Sequence, residues 1–349
     1  MNEKMRNSWV SKRVLCMGKA YAAKVRAAIA CALGLLVWVG ETPADAAEKA
    51  RVDSRDRLCV VVPHFKDEYW LSVGYGLTQE ADATGTEVLM FEAGGYHALE
   101  RQIALLDTCV ARGASAILLG AVSADDPLLL AAVERTARIV PVVALVNELR
   151  SPHLGGAVGV DWQDMGQVIG AYLAGLYPAG SRPVSAALIT GPAASGWSPL
   201  LEAGLMSELR ASSLRIEFIG RSDTGLREQL AQVEAAIAAV PKLEIIIGSA
   251  PAVEGAMGLA ANSDETFPRL VSTYISHSVR RGVQSGRVVA VAFDDPVEQG
   301  KLGVRTAMAS RTGEFSTTLI GPGIELMDAN GDVTSEIELA PATQVLKIE

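Results

Sequence analysis

Short apolar runs rich in β-branched residues alternate along this chain with longer segments of helical periodicity. Residues 58–63 form such a run, a helical segment covers 71–85, and a second run covers 87–92. This alternation is typical of parallel sheets connected by crossover helices, because strands buried on both faces are apolar throughout. The pattern predicts an α/β fold built from doubly wound parallel sheets.

The predicted elements fall into two sets, separated by a break rich in Ser, Pro and Gly at 151–157. The first set has predicted strands at 58–63, 87–92, 116–120 and 142–146, and helices at 71–85, 99–112 and 127–138. The second set has predicted strands at 158–160, 186–190, 215–220, 244–248, 270–274 and 288–292, and helices at 163–176, 200–211, 226–240, 253–260 and 277–284. Open parallel sheets bind ligands beyond the carboxyl ends of their strands, so two such sheets predict two facing rims of loops and a cleft between them.

The amino terminus has the pattern of a secretory signal peptide. Seven Lys and Arg residues precede an apolar run at 27–39, and Ala44-Asp45-Ala46 follows. The run is shorter than the roughly 20 residues of a membrane span, and it continues past Cys31, which disfavours a lipoprotein. We therefore expect residues 1–46 to be a signal peptide cleaved near Ala46 or Ala47, a periplasmic mature chain, and no membrane insertion after cleavage.

The expected mature chain is strongly acidic. Residues 1–46 hold seven of the 31 Lys and Arg residues and three of the 40 Asp and Glu residues, which leaves 24 basic against 37 acidic side chains. Such a surface repels phosphate backbones and anionic lipid headgroups. The composition disfavours nucleic acid and membrane surfaces as partners.

Two cysteines remain after the expected cleavage, Cys59 on the first predicted strand and Cys109 on a following helix. An oxidising compartment allows them to form a disulfide. Two separately buried thiols are an equally good interpretation, because the sequence gives no distance between them.

Aromatic residues concentrate at the predicted strand ends. Five of the nine Trp and Tyr residues after position 46 lie there, namely Tyr69, Trp70, Tyr96, Trp162 and Tyr274. Each one alone is as well explained by core packing as by ligand binding. Together they favour a box of ring faces for a methylated cation. A sugar site would instead need several Asp, Asn and Arg side chains to satisfy the hydroxyl groups.

Polar residues also occupy the predicted rims. Asp67 and Asp161 precede helices and are expected to be N-caps. Of the three, Asp294 is the candidate cleft carboxylate, since it lies where the chain is expected to cross between lobes. Asn147 ends a predicted strand, where a cleft role and a turn role are equally good interpretations.

Over the whole expected mature chain, this pattern resembles the type I periplasmic binding proteins, the group related to the LacI repressors. The resemblance implies three crossings between lobes, with one lobe of residues 47–152 and 295–316 and another of residues 153–294 and 317–349. A repressor would carry a DNA-binding headpiece where this chain has its signal peptide, which excludes that branch.

Four stretches narrow the resemblance to the TorT family: PHFKDEYWLSV at 63–73, EAGGY at 92–96, GVDW at 159–162 and YISH at 274–277. The resemblance implies a periplasmic protein that binds trimethylamine N-oxide (TMAO) and acts with a TorS-like sensor histidine kinase controlling the respiratory reductase. The five aromatic residues at the strand ends would form its ligand box. Trp197 matches no ligand residue of the family; ligand contact, a place at the cleft mouth and kinase contact all stay open for it.

The alternative is a solute-binding protein of an ABC importer, with a sugar or a quaternary amine such as choline or betaine as its cargo. Catalysis is not expected, because the sequence lacks a P-loop and its four histidines have no metal-ligand spacing. The histidines are His64, His97, His153 and His277. We accordingly predict no catalytic residue, no metal and no cofactor.

Overall fold

The computed structural model describes residues 56–263, 266–316, 318–329, 331 and 337–349. The predicted signal peptide at 1–46 lies outside these residues. The strands are β1 (Arg57–Val62), β2 (Glu87–Glu92), β3 (Ala116–Leu119), β4 (Val142–Leu145), β5 (Gly156–Val158), β6 (Val184–Thr190), β7 (Leu214–Arg221), β8 (Ile245–Gly248), β9 (Arg269–Ser272), β10 (Val288–Phe293), β11 (Leu319–Ile320) and β12 (Glu325–Asp328). The α-helices are α1 (Glu68–Thr84), α2 (Leu99–Ala111), α3 (Pro127–Ala137), α4 (Trp162–Leu176), α5 (Trp197–Leu209), α6 (Leu226–Ala239), α7 (Ala250–Ala260), α8 (His277–Gln284) and α9 (Pro296–Arg311).

The strands form two six-stranded sheets, each of which is the centre of one lobe. The first lobe has the strand order β11-β5-β4-β3-β1-β2, and every neighbouring pair is parallel. The second lobe has the order β12-β10-β9-β8-β6-β7, in which only β12 is antiparallel to its neighbour. The central strands are buried along their length, as expected of sheets covered by helices on both faces. The predicted doubly wound α/β class is confirmed.

Glycines allow one pair of helices in each lobe to pack with their backbones close together. In the first lobe α9 packs on α1, and a Cβ added to Gly76 or Gly300 would lie 2.0 or 2.2 Å from a backbone oxygen of the other helix. In the second lobe α4 packs on α5, and a Cβ at Gly166 or Gly204 would lie 2.0 or 1.9 Å from a backbone oxygen. These pairs matter for the site because α1, α4 and α5 begin at its walls.

Aspartates start several helices, as the sequence predicts. Asp67 accepts a hydrogen bond from the amide of Tyr69 at the start of α1, and Asp161 accepts one from the amide of Gln163 at the start of α4. The N-cap predictions for both residues are confirmed. Each cap fixes the direction of the first helical turn, which carries the neighbouring aromatic side chains.

Strand membership near the crossings differs from the sequence-based lobe boundaries. The strand expected to open the second set at 158–160 forms as β5 in the first sheet, between β4 and β11. After α9 the chain adds β11 to the first sheet and β12 to the second, instead of staying with the second lobe from 317 onward. A Gly- and Pro-rich break marks a change of direction, but the sheet that a strand joins depends on its distant hydrogen-bonding partners.

The carboxyl-terminal residues 337–349 run back along the first lobe. The amide of Ala340 donates to Ser72 Oγ of α1 at 3.2 Å, and its carbonyl oxygen lies 2.5 Å from His277 Nε2 of α8 in the second lobe. Further along, Ile348 pairs with Met90 of β2. This segment therefore contacts both lobes.

Cys59 of β1 and Cys109 of α2 form a disulfide with a Cα–Cα distance of 5.7 Å. The bond lies in the buried layer between the first sheet and α2.

Within the described residues, no helix combines the length and apolar character that a membrane span requires.

Candidate ligand-binding site

A cavity lies where loops from both lobes meet, and nearly every side chain that lines it follows the carboxyl end of a strand. The five aromatic residues predicted from the sequence all line it, and so do Asn147 and Trp197. The ten lining residues are Asp67, Tyr69, Trp70, Tyr96, Val146, Asn147, Trp162, Trp197, Thr224 and Tyr274. The position agrees with the rule that open parallel sheets bind ligands at this edge.

The first lobe contributes Tyr69 and Trp70 from the first turn of α1, directly after the cap Asp67. Both rings are buried. The Trp70 ring lies against Gly120 at the end of β3, where an added Cβ would be 2.6 Å from Trp70 Cη2. The absence of a side chain at Gly120 thus makes room for the indole.

Tyr96 enters from the loop after β2, where Gly94 and Gly95 adopt φ values of +104° and +150°. These conformations suit glycine because it has no Cβ. The Tyr96 hydroxyl accepts hydrogen bonds from Asn147 Nδ2 at 3.1 Å and from Trp197 Nε1 at 3.2 Å. A first-lobe ring is therefore fixed by a second-lobe indole.

The second lobe contributes Trp162, Trp197 and Tyr274. Trp162 begins α4, and its Nε1 donates to the carbonyl oxygen of Val146 at 3.0 Å. Trp197 begins α5 and lies against Gly191, where an added Cβ would be 2.3 Å from the indole. Because Gly191 has no side chain, it leaves space for the Trp197 ring in the same way that Gly120 leaves space for the Trp70 ring.

The rings converge across the two lobes. The centroids of Trp162 and Trp197 are 5.2 Å apart, and Tyr274 meets both edge-on at 6.5 and 6.1 Å. Tyr69 of the first lobe lies 5.3 Å from Tyr274. The space for solvent between them is about 10 Å³, room for roughly one water molecule. The lobes are closed in this structure, and a ligand of several atoms must part them slightly.

Two buried carboxylates hold the tyrosine hydroxyls in place. Asp67 accepts from the Tyr274 hydroxyl at 2.6 Å, and Asp294 accepts from the Tyr69 hydroxyl at 2.7 Å and from Gln299 Nε2 at 2.9 Å. Asp294 thus lies one hydrogen bond behind the cavity wall and is not part of its lining. Asp67 lines the cavity in addition to capping α1, a role that the N-cap interpretation missed.

Burial controls the ionisation of these groups. It raises the pKa of Asp67 and of Asp294 to about 6, although hydrogen bonds from the tyrosines oppose the shift. Burial, together with the adjacent carboxylates, also raises the pKa values of Tyr69 and Tyr274 well above their usual value. The tyrosines therefore stay neutral hydrogen-bond donors near neutral pH.

Two residues that line the site were not identified from the sequence. Val146 contributes its backbone oxygen, which no side-chain pattern reveals. Thr224 follows β7 and could have been found by the same strand-end rule that located the aromatic rings.

Within the described residues, no group of three or more His, Cys, Asp and Glu side chains is placed to hold a metal ion.

The family model for the periplasmic binding protein domain matches residues 58–314. The periplasmic protein TorT of Escherichia coli K12 is 35% identical over 268 residues, which span 77% of this chain and 76% of that protein. The chain belongs to the TorT family of periplasmic binding proteins. The resemblance carried by the four sequence stretches is thereby confirmed.

Solved structures of TorS–TorT complexes contain a chain similar to this one. A complex of the TorS sensor domain with TorT without ligand contains a chain that is 33% identical with a TM-score of 0.73; the match covers 84% of this chain and all of the other. A corresponding complex in the presence of TMAO gives 32% identity and the same TM-score and coverage. An ABC transporter solute-binding protein from Bradyrhizobium sp. BTAi1 with bound bis-tris is 32% identical with a TM-score of 0.69, covering 85% of this chain and 90% of that one.

Proposed function

We propose that this TorT family chain binds TMAO in the aromatic cavity and regulates a TorS-like sensor histidine kinase in the periplasm. The observation that carries the proposal is the convergence of buried Trp and Tyr rings from both lobes on one cavity. The related complex of TorS and TorT solved with TMAO supports the ligand and the partner. The proposed function is binding and signalling without catalysis.

The chemistry of the cavity suits a methylated amine oxide. The positive nitrogen and its methyl groups would be surrounded by ring faces, those of Trp70, Tyr96, Trp162 and Tyr274. Each well-placed ring would contribute about 0.5–2 kcal/mol to the binding free energy. The oxide oxygen needs one or two donors. The Tyr96 hydroxyl is the proposed donor, because its own bond to Asn147 Oδ1 is long at 3.4 Å.

Signalling would follow from lobe closure. A ligand that side chains of both lobes contact at once shifts the population toward a form of the protein that is closed around it. Closure changes the relative position of surfaces on the two lobes, and a kinase sensor domain that contacts both would detect the change.

Calorimetry with the purified chain tests the ligand. We expect TMAO to bind and ribose to give no heat of binding. Trp162→Ala should weaken TMAO binding at least tenfold while the protein stays folded, since it removes a ring and the bond to Val146. Phe315→Ala is the matched control, because this ring is 64% exposed and lies outside the cavity lining. Binding of choline or ribose but not TMAO would contradict the sensing proposal.

The partner is tested separately by titrating a TorS sensor domain with the chain. A complex whose affinity changes when TMAO is added is the expected result. If no complex forms at micromolar concentrations with or without TMAO, the proposed kinase partner is wrong.

A second candidate is cargo binding for an ABC importer, favoured by the similarity to the Bradyrhizobium solute-binding protein with bound bis-tris. Bis-tris is an amine with several hydroxyl groups, so a hydroxylated amine is the cargo to compare with TMAO. Preference for a hydroxylated amine over TMAO in the same calorimetric series would favour the importer.

A further inference from the structure

Asp223, on the loop after β7 of the second lobe, reaches three groups of the first lobe. One carboxylate oxygen lies 2.8 Å from His64 Nε2, on the loop after β1. The other accepts a hydrogen bond from the backbone amide of Tyr96 at 2.9 Å and lies 3.4 Å from His97 Nδ1. A single side chain thus connects one lobe to two separate loops of the other.

The contact with His64 is largely shielded from water, whereas the His97 side chain is 80% exposed. The His64 side chain is fully buried, and the Asp223 side chain is 18% exposed. Burial opposes ionisation of Asp223, but the hydrogen bond and charge of His64, the Tyr96 amide and His97 outweigh it, so the pKa of Asp223 is lowered. Hydrogen bonds to an ionised carboxylate are stronger than those between neutral groups.

The second lobe holds the Asp223 loop rigidly. The buried side chain of Gln229, in the first turn of α6, donates from Nε2 to the carbonyl oxygens of Asp223, Ser222 and Thr190 at 3.1–3.2 Å. Its Oε1 accepts from Ser249 Oγ at 2.7 Å. Asp223 is therefore presented to the first lobe from a fixed backbone.

The first lobe leaves space for this carboxylate at Gly95. An added Cβ at Gly95 would lie 2.4 Å from Asp223 Oδ2. The glycine that precedes Tyr96 thus permits the approach of Asp223 as well as the turn of its own loop.

Asp223 is not part of the cavity lining, whereas Tyr96 is. We infer that Asp223 is the positioning residue that locks the two lobes together and holds Tyr96 in the ligand cavity, so that the stability of the closed form and the affinity for ligand both depend on it. The second part of this inference rests on the proposed function of the cavity.

Two measurements on the full chain test the inference. Hydrogen exchange of the peptide that contains Tyr96 needs no ligand; Asp223→Ala should speed exchange of the Tyr96 amide several-fold because its acceptor is removed. Binding of TMAO should weaken at least tenfold in the same variant, mainly through faster dissociation. Asp125→Ala is the control, because this exposed carboxylate pairs with Arg150 within the first lobe and should change neither quantity.

A double-mutant cycle with His64 separates positioning from general damage to the fold. Asp223→Ala and His64→Ala should each weaken binding, and the loss in the double variant should be smaller than the sum of the two single losses, since the contact between the two side chains is shared. If the alanine variant fails to fold, Asp223→Asn replaces it. This variant keeps the size of the side chain and should show the same effects to a smaller degree.

The outcomes distinguish this inference from the proposed function. If the wild type does not bind TMAO but Asp223→Ala speeds Tyr96 exchange, the proposed ligand is wrong and the interlobe lock stands. If exchange of the Tyr96 peptide is the same in Asp223→Ala as in the wild type, or if the effects on binding are additive with those of His64→Ala, the inference is overturned.

Discussion

At the scale of single residues, this cavity depends on groups that are costly to bury unless they are paired. Asp67 and Asp294 each receive a tyrosine hydroxyl, and the buried amide of Asn147 bonds to Tyr96 and to the carbonyl oxygen of Ala121. Each pairing offsets the loss of water around a polar group and leaves the ring faces directed at the cavity. The aromatic box is therefore supported by polar contacts behind it.

Val146 is the strained residue of the site. Its φ of +66° is unusual for a β-branched side chain and costs on the order of 1–2 kcal/mol. Its amide donates to the carbonyl oxygen of Val158 at 2.7 Å, and its carbonyl oxygen accepts from Trp162 Nε1. These two bonds hold the conformation and couple the end of β4 to the ligand box.

The raised pKa of Asp294 predicts a pH dependence of stability. Its pKa is about 6 in the folded protein and near 3.9 when unfolded, so the folded form keeps a proton that the unfolded form releases between these values. Relative to Asp294→Asn, the wild type should be most stable near pH 4. It should lose on the order of 1–3 kcal/mol as pH rises to 7, and then stay constant.

Urea unfolding of the wild type and Asp294→Asn at pH 4.5 and pH 7 measures this difference. Comparison with the variant removes the opposing effect of carboxylates with lowered pKa values, such as Glu80 and Glu338. An equal difference in the free energy of unfolding at both pH values would contradict the prediction.

At the scale of elements, glycine contacts between helices place the aromatic residues. The starts of α4 and α5 carry Trp162 and Trp197, and the two helices approach closely through Gly166 and Gly204. A side chain at either glycine would meet backbone, which cannot move aside as a flexible side chain can. The separation of the two indoles is therefore set partly by residues outside the cavity.

Gly166→Ala should force α4 away from α5. We expect a loss of about 1–3 kcal/mol in the free energy of unfolding and weaker ligand binding, because Trp162 moves with its helix. Gly175→Ala, in the same helix, is the matched control: a Cβ there has no neighbour within 4 Å, and it should stabilise the protein by roughly 0.5–1 kcal/mol. If both variants change the free energy of unfolding in urea by the same amount, the close approach of α4 and α5 does not restrict the residue at position 166.

At the scale of the whole molecule, the two lobes are connected by more than the crossings. Asp223 connects them at one edge of the cleft, and the segment 337–349 contacts α1 and α8 elsewhere. The disulfide acts differently, because it lies within the first lobe and also restricts the unfolded chain.

Loss of the disulfide should lower stability by about 2–4 kcal/mol. Cys59 and Cys109 are 50 residues apart, and closing a loop of this length removes much of the conformational entropy of the unfolded chain. Denaturant unfolding of a Cys59→Ala and Cys109→Ala double variant measures the loss. Adding a reductant should destabilise the wild type and leave this variant unchanged; a wild type that is insensitive to complete reduction would argue against a stabilising role.

The sequence by itself determined the fold class, most strand and helix positions, and the five aromatic residues of the cavity. These follow from local patterns: burial on both faces makes a parallel strand apolar throughout, and ligand-facing rings occupy strand ends. The sequence also identified Asp67 and Asp161 as caps, since a cap is a contact between near neighbours in the chain.

Only the tertiary structure decided which sheet β5 and β11 join, that Cys59 and Cys109 are bonded, that Asp294 lies behind Tyr69, and that Asp223 meets His64. Each depends on groups brought together from distant parts of the chain: Asp223 and His64 are 159 residues apart, and Tyr69 and Asp294 are 225 apart. Local propensity carries no record of such partners, because their contact exists only after the sheets and helices have packed.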